Sequence, residues 1–106
     1  MKSILVVFCT CPDEEAARAL AAGLLEEKLA ACVNVLPGIR SIYRWQGEVE
    51  DESEVLMVVK TTQPKLDRLA QWLNQHHPYE LPEVIALPVS GGLPGYLDWV
   101  AQETET

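Results

Sequence analysis

The sequence predicts an α+β sandwich in the order β-α-β-β-α-β, closed by a short C-terminal helix. Three observations predict it. Short apolar runs with strand character stand near both ends of the chain. Two segments between the strands carry apolar residues at helical spacing. In the middle, two long strand-like arms meet at Gln46-Gly47.

Taken in order, Ser3-Ile4-Leu5-Val6-Val7-Phe8-Cys9 is apolar and β-branched, a strand buried on both faces. Thr10-Cys11-Pro12-Asp13-Glu14-Glu15 reads as a helix start, with Pro12 at the first helical position and acids at the positive end of the dipole. Ala17, Leu20, Ala21, Leu24 and Leu25 then recur at helical spacing to about Lys28. Glu14, Glu15, Arg18, Glu26 and Glu27 form the solvated face opposite. Cys32 to Leu36 opens a second strand, which Pro37-Gly38 should bulge and Ile39 to Trp45 should continue. Glu48 to Thr62 returns as a third strand, acidic in its first half and apolar in its second.

Each arm of this hairpin is about twice the usual five or six residues of a strand. Its distal half should project beyond the core and pair with another copy of the chain. Gln63-Pro64 starts the second helix, with Leu66, Leu69, Ala70 and Leu73 as its stripe, Trp72 at the stripe's edge and the His pair near its end. Pro82 to Val89 is the fourth strand, Gly91 to Gly95 a loop and Tyr96 to Val100 the last helix, with Gln102 to Thr106 frayed. This is the ferredoxin-like order, a four-stranded antiparallel sheet with two helices on one face.

Composition narrows the function. The 106 residues make one domain, 1–106, and 48% hydrophobic content makes it globular. A net charge of −8 argues against nucleic acid and against an anionic membrane surface. No apolar run reaches the roughly 18 residues a membrane span needs. Met1 to Cys9 lacks the length and cleavage site of a signal peptide and reads as the first strand of a cytoplasmic protein. Three cysteines, Cys9, Cys11 and Cys32, are an odd number and argue against a disulfide framework.

Two local patterns carry chemistry. His76-His77-Pro78-Tyr79-Glu80-Leu81-Pro82-Glu83 holds both histidines of the chain, followed by carboxylates. Imidazole and carboxylate suit a divalent metal, and the prolines limit ligand drift. The same residues also read as a helix end, where His meets the negative pole of the dipole and Pro stops the helix. Cys9 and Cys11 form a Cys-x-Cys pair whose thiolates suit a soft metal such as Cu(I), or simply buried thiols. Cys32, in Ala30-Ala31-Cys32-Val33, reads as a small buried hydrophobe.

Ordered segments along nearly the whole chain carry a resemblance. They are Cys11-Pro12-Asp13, Leu29-Ala30-Ala31-Cys32-Val33-Asn34, Pro37-Gly38, Ser41-Ile42-Tyr43-Arg44-Trp45-Gln46-Gly47 and Glu54-Val55-Leu56-Met57. They continue with Lys60-Thr61-Thr62, His77-Pro78-Tyr79-Glu80, Pro82-Glu83-Val84-Ile85-Ala86-Leu87-Pro88 and Tyr96-Leu97-Asp98-Trp99. The chain resembles the CutA family of divalent-cation tolerance proteins. That resemblance implies a compact homotrimer, similar in architecture to the PII signalling proteins, with hairpins paired between subunits. It implies binding of Cu(II) or another divalent cation, with Cys9, His76, His77 and Glu83 as the matching ligands. Tyr43, Trp45, Tyr79 and Trp99 are expected to serve packing.

Two other functions stay open. A PII-shaped signalling or partner-binding module would use clefts near Gly91-Gly92, Lys60, Arg44 and Tyr79. A purely structural role would use the acidic stretch Glu48 to Glu54 as a docking patch. An enzyme is not expected, because the spacing of the histidines and cysteines shows no nucleophile-base pair.

Overall fold

The computed structural model describes residues 3–105. Strand β1 spans Ile4–Cys11, helix α1 Glu14–Glu26, β2 Cys32–Trp45 and β3 Glu48–Thr62. Helix α2 spans Leu66–His76, β4 Ile85–Pro88 and α3 Pro94–Glu103. The strands form one antiparallel sheet in the order β2-β3-β1-β4, the ferredoxin-like arrangement expected.

The period of two in β1 and β3 builds the core. Leu5, Val7, Cys9 and Cys11 alternate with less buried neighbours along β1, and Val55, Met57 and Val59 do the same along β3. Leu20 and Leu24 of α1 and Leu69 and Leu73 of α2 close over that face. Each such leucine stabilises the fold by about 1.5–3 kcal/mol relative to an exposed one. Gly23 lets the two helices approach, because a Cβ there would lie 2.3 Å from the Trp72 ring.

Three boundaries differ from the sequence reading. Thr10 and Cys11 remain in β1, paired with Leu56 and Val55, so the helix does not start there. Pro12 precedes the cap. Asp13 is the cap, its carboxylate accepting the Ala16 N–H at 2.8 Å, and Glu14 is the first helical residue. The fourth strand is four residues rather than Pro82 to Val89: Ile85 to Pro88 form the ladder with β1, and Val89 adds one N–H donated to the Ile4 carbonyl at 3.0 Å. The last helix runs from Pro94 to Glu103, and the expected fraying from Gln102 is not seen in the described part. Thr104 is fully buried and donates its hydroxyl to the Val100 carbonyl at 3.0 Å. Thr106 lies outside the described residues. A 3-10 turn, Gln63–Lys65, also precedes α2.

The hairpin follows its sequence signals. Gln46 (φ 50°) and Gly47 (φ 84°) both take positive φ, as a two-residue turn with the strand twist requires. Pro37 and Gly38 oppose the single residue Val55, a bulge that shifts the register between Leu36 and Ile39. Before the bulge, even residues of β2 face even residues of β3, as in Leu36 with Leu56. Beyond it, odd residues of β2 do so: Ile39 with Glu54, Ser41 with Glu52, Tyr43 with Glu50. Most residues past the bulge are exposed, and the molecule measures 44 × 25 × 22 Å.

Candidate metal centre

Cys9 and Cys11 sit two residues apart on β1, so the pleat sends both side chains to the helix-covered face. Both are fully buried. Met57, the cross-strand partner of Cys9, is buried beside them, and the Cys11 thiol donates to its Sδ at 3.3 Å.

The third group arrives from α2. Pro78 forces the residue before it into extended backbone, and His77 has φ −73° and ψ 142°. That ends the helix and turns the His77 ring inward to a buried position. His77 Nε2 lies 2.8 Å from the Thr10 carbonyl and 3.8 Å from Cys11 Sγ. Its Nδ1 accepts the Tyr79 N–H at 3.0 Å. Nδ1 is therefore the acceptor, and the hydrogen sits on Nε2, donated to Thr10. Tyr79 leans on the imidazole, ring centroids 4.8 Å apart, and donates its hydroxyl to Glu54 at 2.6 Å. Burial and that hydrogen bond to Glu54 push the Tyr79 phenol up.

The ligand atoms of Cys9, Cys11 and His77 all lie within 4.8 Å of one another. The two thiols are unequal. A hydrogen bond with Cys11, then burial, then the charges of Cys11, Glu83 and Glu54 drive the Cys9 thiol far up. The hydrogen bond from Cys9 lowers Cys11, against the opposing effects of burial and of Glu54 and Asp13. The same sulfur–sulfur hydrogen bond thus moves the two thiols in opposite directions.

Of the residues matched from sequence, the structure brings Cys9 and His77 together and adds Cys11. It places His76 elsewhere. That residue is exposed at the end of α2, stacked on Trp72 at 4.1 Å with its Nδ1 2.8 Å from the Trp72 carbonyl. Glu83 is exposed on the segment before β4. It lines a groove between that segment and the hairpin, with Thr10, Tyr43, Trp45, Glu52 and Tyr79. Tyr43 donates to Glu52, which with burial and the neighbouring acids pushes its phenol up to about 12. Thr10 belongs to both places, lining the groove and accepting from His77, so the thiols lie beneath the groove.

The ligand set implied by the resemblance omits Cys11, which the Cys-x-Cys reading had paired with Cys9, and neither reading names Met57 as a neighbour of the thiols. Shared parity with Cys9 on one strand was a signal for Cys11. Met57 needed the strand register, which no local motif contains.

A model of the CutA1 divalent ion tolerance protein family matches residues 5–103. The chain belongs to the CutA1 family. A divalent-cation tolerance protein CutA from Thermus thermophilus is 50% identical over 99 residues, covering 93% of this chain and 96% of that one. The solved structure of the Thermus Cut A1 protein superposes with a TM-score of 0.93 at 49% identity, covering 96% and 99% of the two chains. A chloroplastic CutA from Arabidopsis thaliana is 48% identical over 100 residues, 94% of this chain. The chain spans 55% of that relative's length. The CutA1 match and the topology agree on the ferredoxin-like, PII-like sandwich. Its relatives' names tie this fold to divalent-cation tolerance. Among the described residues, no helix is long and apolar enough to cross a membrane.

Proposed function

We propose that this chain acts in cation tolerance as a cytoplasmic homotrimer that binds copper or another divalent cation through the thiol cluster beneath the groove. The observation that carries the reading is the convergence of Cys9, Cys11 and His77 within 4.8 Å. Two thiols and an imidazole fit a borderline or soft cation and disfavour magnesium or calcium, which want oxygen. Cys9 and Cys11 would be the principal ligands. His77 would join them only by giving up its hydrogen bond to Thr10. Bound there, copper or another divalent cation would be sequestered from solution rather than activated for chemistry.

Exposed apolar side chains support self-association. Ile42 is 68% exposed on the hairpin, and Ile85 54% and Leu87 46% on β4. β2 and β4 are the two edges of the sheet, where unpaired backbone groups invite another copy. The number three follows the resemblance drawn from sequence. Free Cys9, Cys11 and Cys32 suit a reducing compartment such as the cytoplasm.

The reading is of a binding protein and not an enzyme. Cys11 and His77 do approach to 3.8 Å, but the imidazole donates from the nitrogen that a base would use. A second reading, partner binding, is favoured by the groove, whose Tyr43, Trp45 and Tyr79 stand among carboxylates.

The test is titration of the reduced protein with Cu(II) against a competing chelator, with mass followed by light scattering. Cys9→Ser/Cys11→Ser and His76→Ala/His77→Ala variants run beside it. Micromolar or tighter binding, lost in the cysteine variant on an intact trimer, is the expected result. Weak binding, equal in all proteins, would transfer the function to the groove and a partner.

A further inference from the structure

A cluster of two thiols and an imidazole by itself fixes neither the oxidation state of a bound ion nor the full ligand set. The sulfur geometry points to a cuprous site of three sulfurs, formed by Cys9, Cys11 and Met57, with His77 left in place as a structural pin. This inference rests on the metal reading above and narrows it.

Met57 is the residue that sets this cluster apart. It stands directly across the ladder from Cys9, is fully buried, and has its thioether 3.3 Å from Cys11 Sγ. Three sulfurs from two strands thus share one face of the sheet and one small volume. Thiolates suit both Cu(I) and Zn(II), the added neutral thioether favours the softer Cu(I), and Cu(II) draws on imidazole and carboxylate as well. A thioether beside two thiols is what distinguishes this donor set from a general thiol site.

The imidazole argues the same way. Both His77 nitrogens are engaged, one donating to the Thr10 carbonyl and the other accepting the Tyr79 N–H. Ligation through either would leave a backbone group without its partner, and burial makes that costly. The sulfurs surrender only weak S–H contacts when they bind an ion. His76 and Glu83, the nitrogen and oxygen donors a cupric ion would prefer, are exposed and stand outside the cluster.

The proton balance is simple. Each thiol that becomes a ligand releases one proton, and the thioether releases none. No electron is transferred, because the ion arrives already reduced. Since all three residues are fully buried, the ion enters only when the fold opens locally around them.

The experiment uses the full chain, reduced and kept from oxygen, titrated with Cu(I) buffered by bicinchoninate. Parallel titrations use Zn(II) and Cu(II), and X-ray absorption is recorded at the copper edge. The variants are Met57→Leu, which conserves volume, and Cys9→Ser/Cys11→Ser. The expected result is one Cu(I) per subunit in an all-sulfur shell, with proton release. Met57→Leu should weaken Cu(I) by at least about tenfold and leave Zn(II) affinity unchanged. Cuprous affinity unchanged in a folded Met57→Leu protein, or nitrogen in the copper shell, would overturn the inference. If Zn(II) or Cu(II) binding is lost in the cysteine variant while Met57→Leu is silent, the metal reading stands and the cuprous one falls. If none of the three ions binds, both fall.

Discussion

Replacing Tyr79 with Phe removes one oxygen atom and leaves the ring that packs on His77. Its effect should be large for so small a change. Glu54 is only 6% exposed, and the Tyr79 hydroxyl, at 2.6 Å, is the side-chain donor it meets across the groove wall. A hydrogen bond to a charged group contributes about 1.5–3 kcal/mol, and a buried carboxylate left without its donor keeps its desolvation cost. With a urea slope of about 1.5 kcal/mol/M, the midpoint should fall by about 1–2 M. Protomer concentration must be held fixed, because association contributes to the apparent stability of an oligomer. The cycle is completed with Glu54→Leu. In that background Tyr79→Phe should cost less than about 0.5 kcal/mol, since the partner is already gone. Equal costs in the two backgrounds would refute the reasoning, and so would a wild-type midpoint in the single variant. The same loosening should speed thiol labelling of Cys9 and Cys11, which are buried beside the His77 ring that Tyr79 holds.

Gly23→Ala should destabilise the protein by about 1 kcal/mol in urea, because overpacking against Trp72 costs about 1–3 and the better helix former returns about 1. Its near-ultraviolet circular dichroism should change as Trp72 shifts on His76. Gln46→Asn should stabilise the hairpin by a few tenths of a kcal/mol, roughly, and Gly47→Ala should destabilise it by about 1, both read from thermal midpoints. Tyr43 and Tyr79 are both raised on folding, so the folded state favours their neutral forms. Their contribution is complete below pH 10 and is lost as pH rises, for Tyr43 between 10 and about 12. Urea midpoints measured across that range should fall more steeply in wild type than in a Tyr43→Phe/Tyr79→Phe variant.

The fold was legible because its signals are local. The apolar run of β1, the stripe of α1 and the Gln46-Gly47 turn each act over a few residues, and each element appears where expected, although Val6 and Phe8 on the second face of β1 are only partly buried. Boundaries failed where two local signals competed. Pro12 and Asp13 both announce a helix start, and the Asp13 carboxylate prevails because it can accept the Ala16 N–H. The end of α3 failed differently: Gln102 to Thr104 look like a polar tail, yet tertiary burial of Thr104 keeps them ordered. At the candidate site, adjacency misled. His76 and His77 are neighbours in sequence, but the helix stop imposed by Pro78 sends one ring to solvent and the other into the core. Conversely, Met57 is distant in sequence from Cys11 and close in space, and only the β1–β3 register brings them together.

The bulge at Pro37 and Gly38 adds a residue to one strand of the projecting arm without changing what faces what beyond it. Because the two residues oppose Val55 alone, deleting either would leave Ile39 opposite Glu54, Ser41 opposite Glu52 and Tyr43 opposite Glu50. What would change is the extra twist and bend that a bulge imposes on the strand that carries it. The arm would keep its chemistry and lose its aim, with Ser41, Tyr43 and Trp45 carried at a new angle over the same carboxylates. The loss of one codon, outside every candidate ligand, would thus reset the width of the groove while leaving the core beneath it intact.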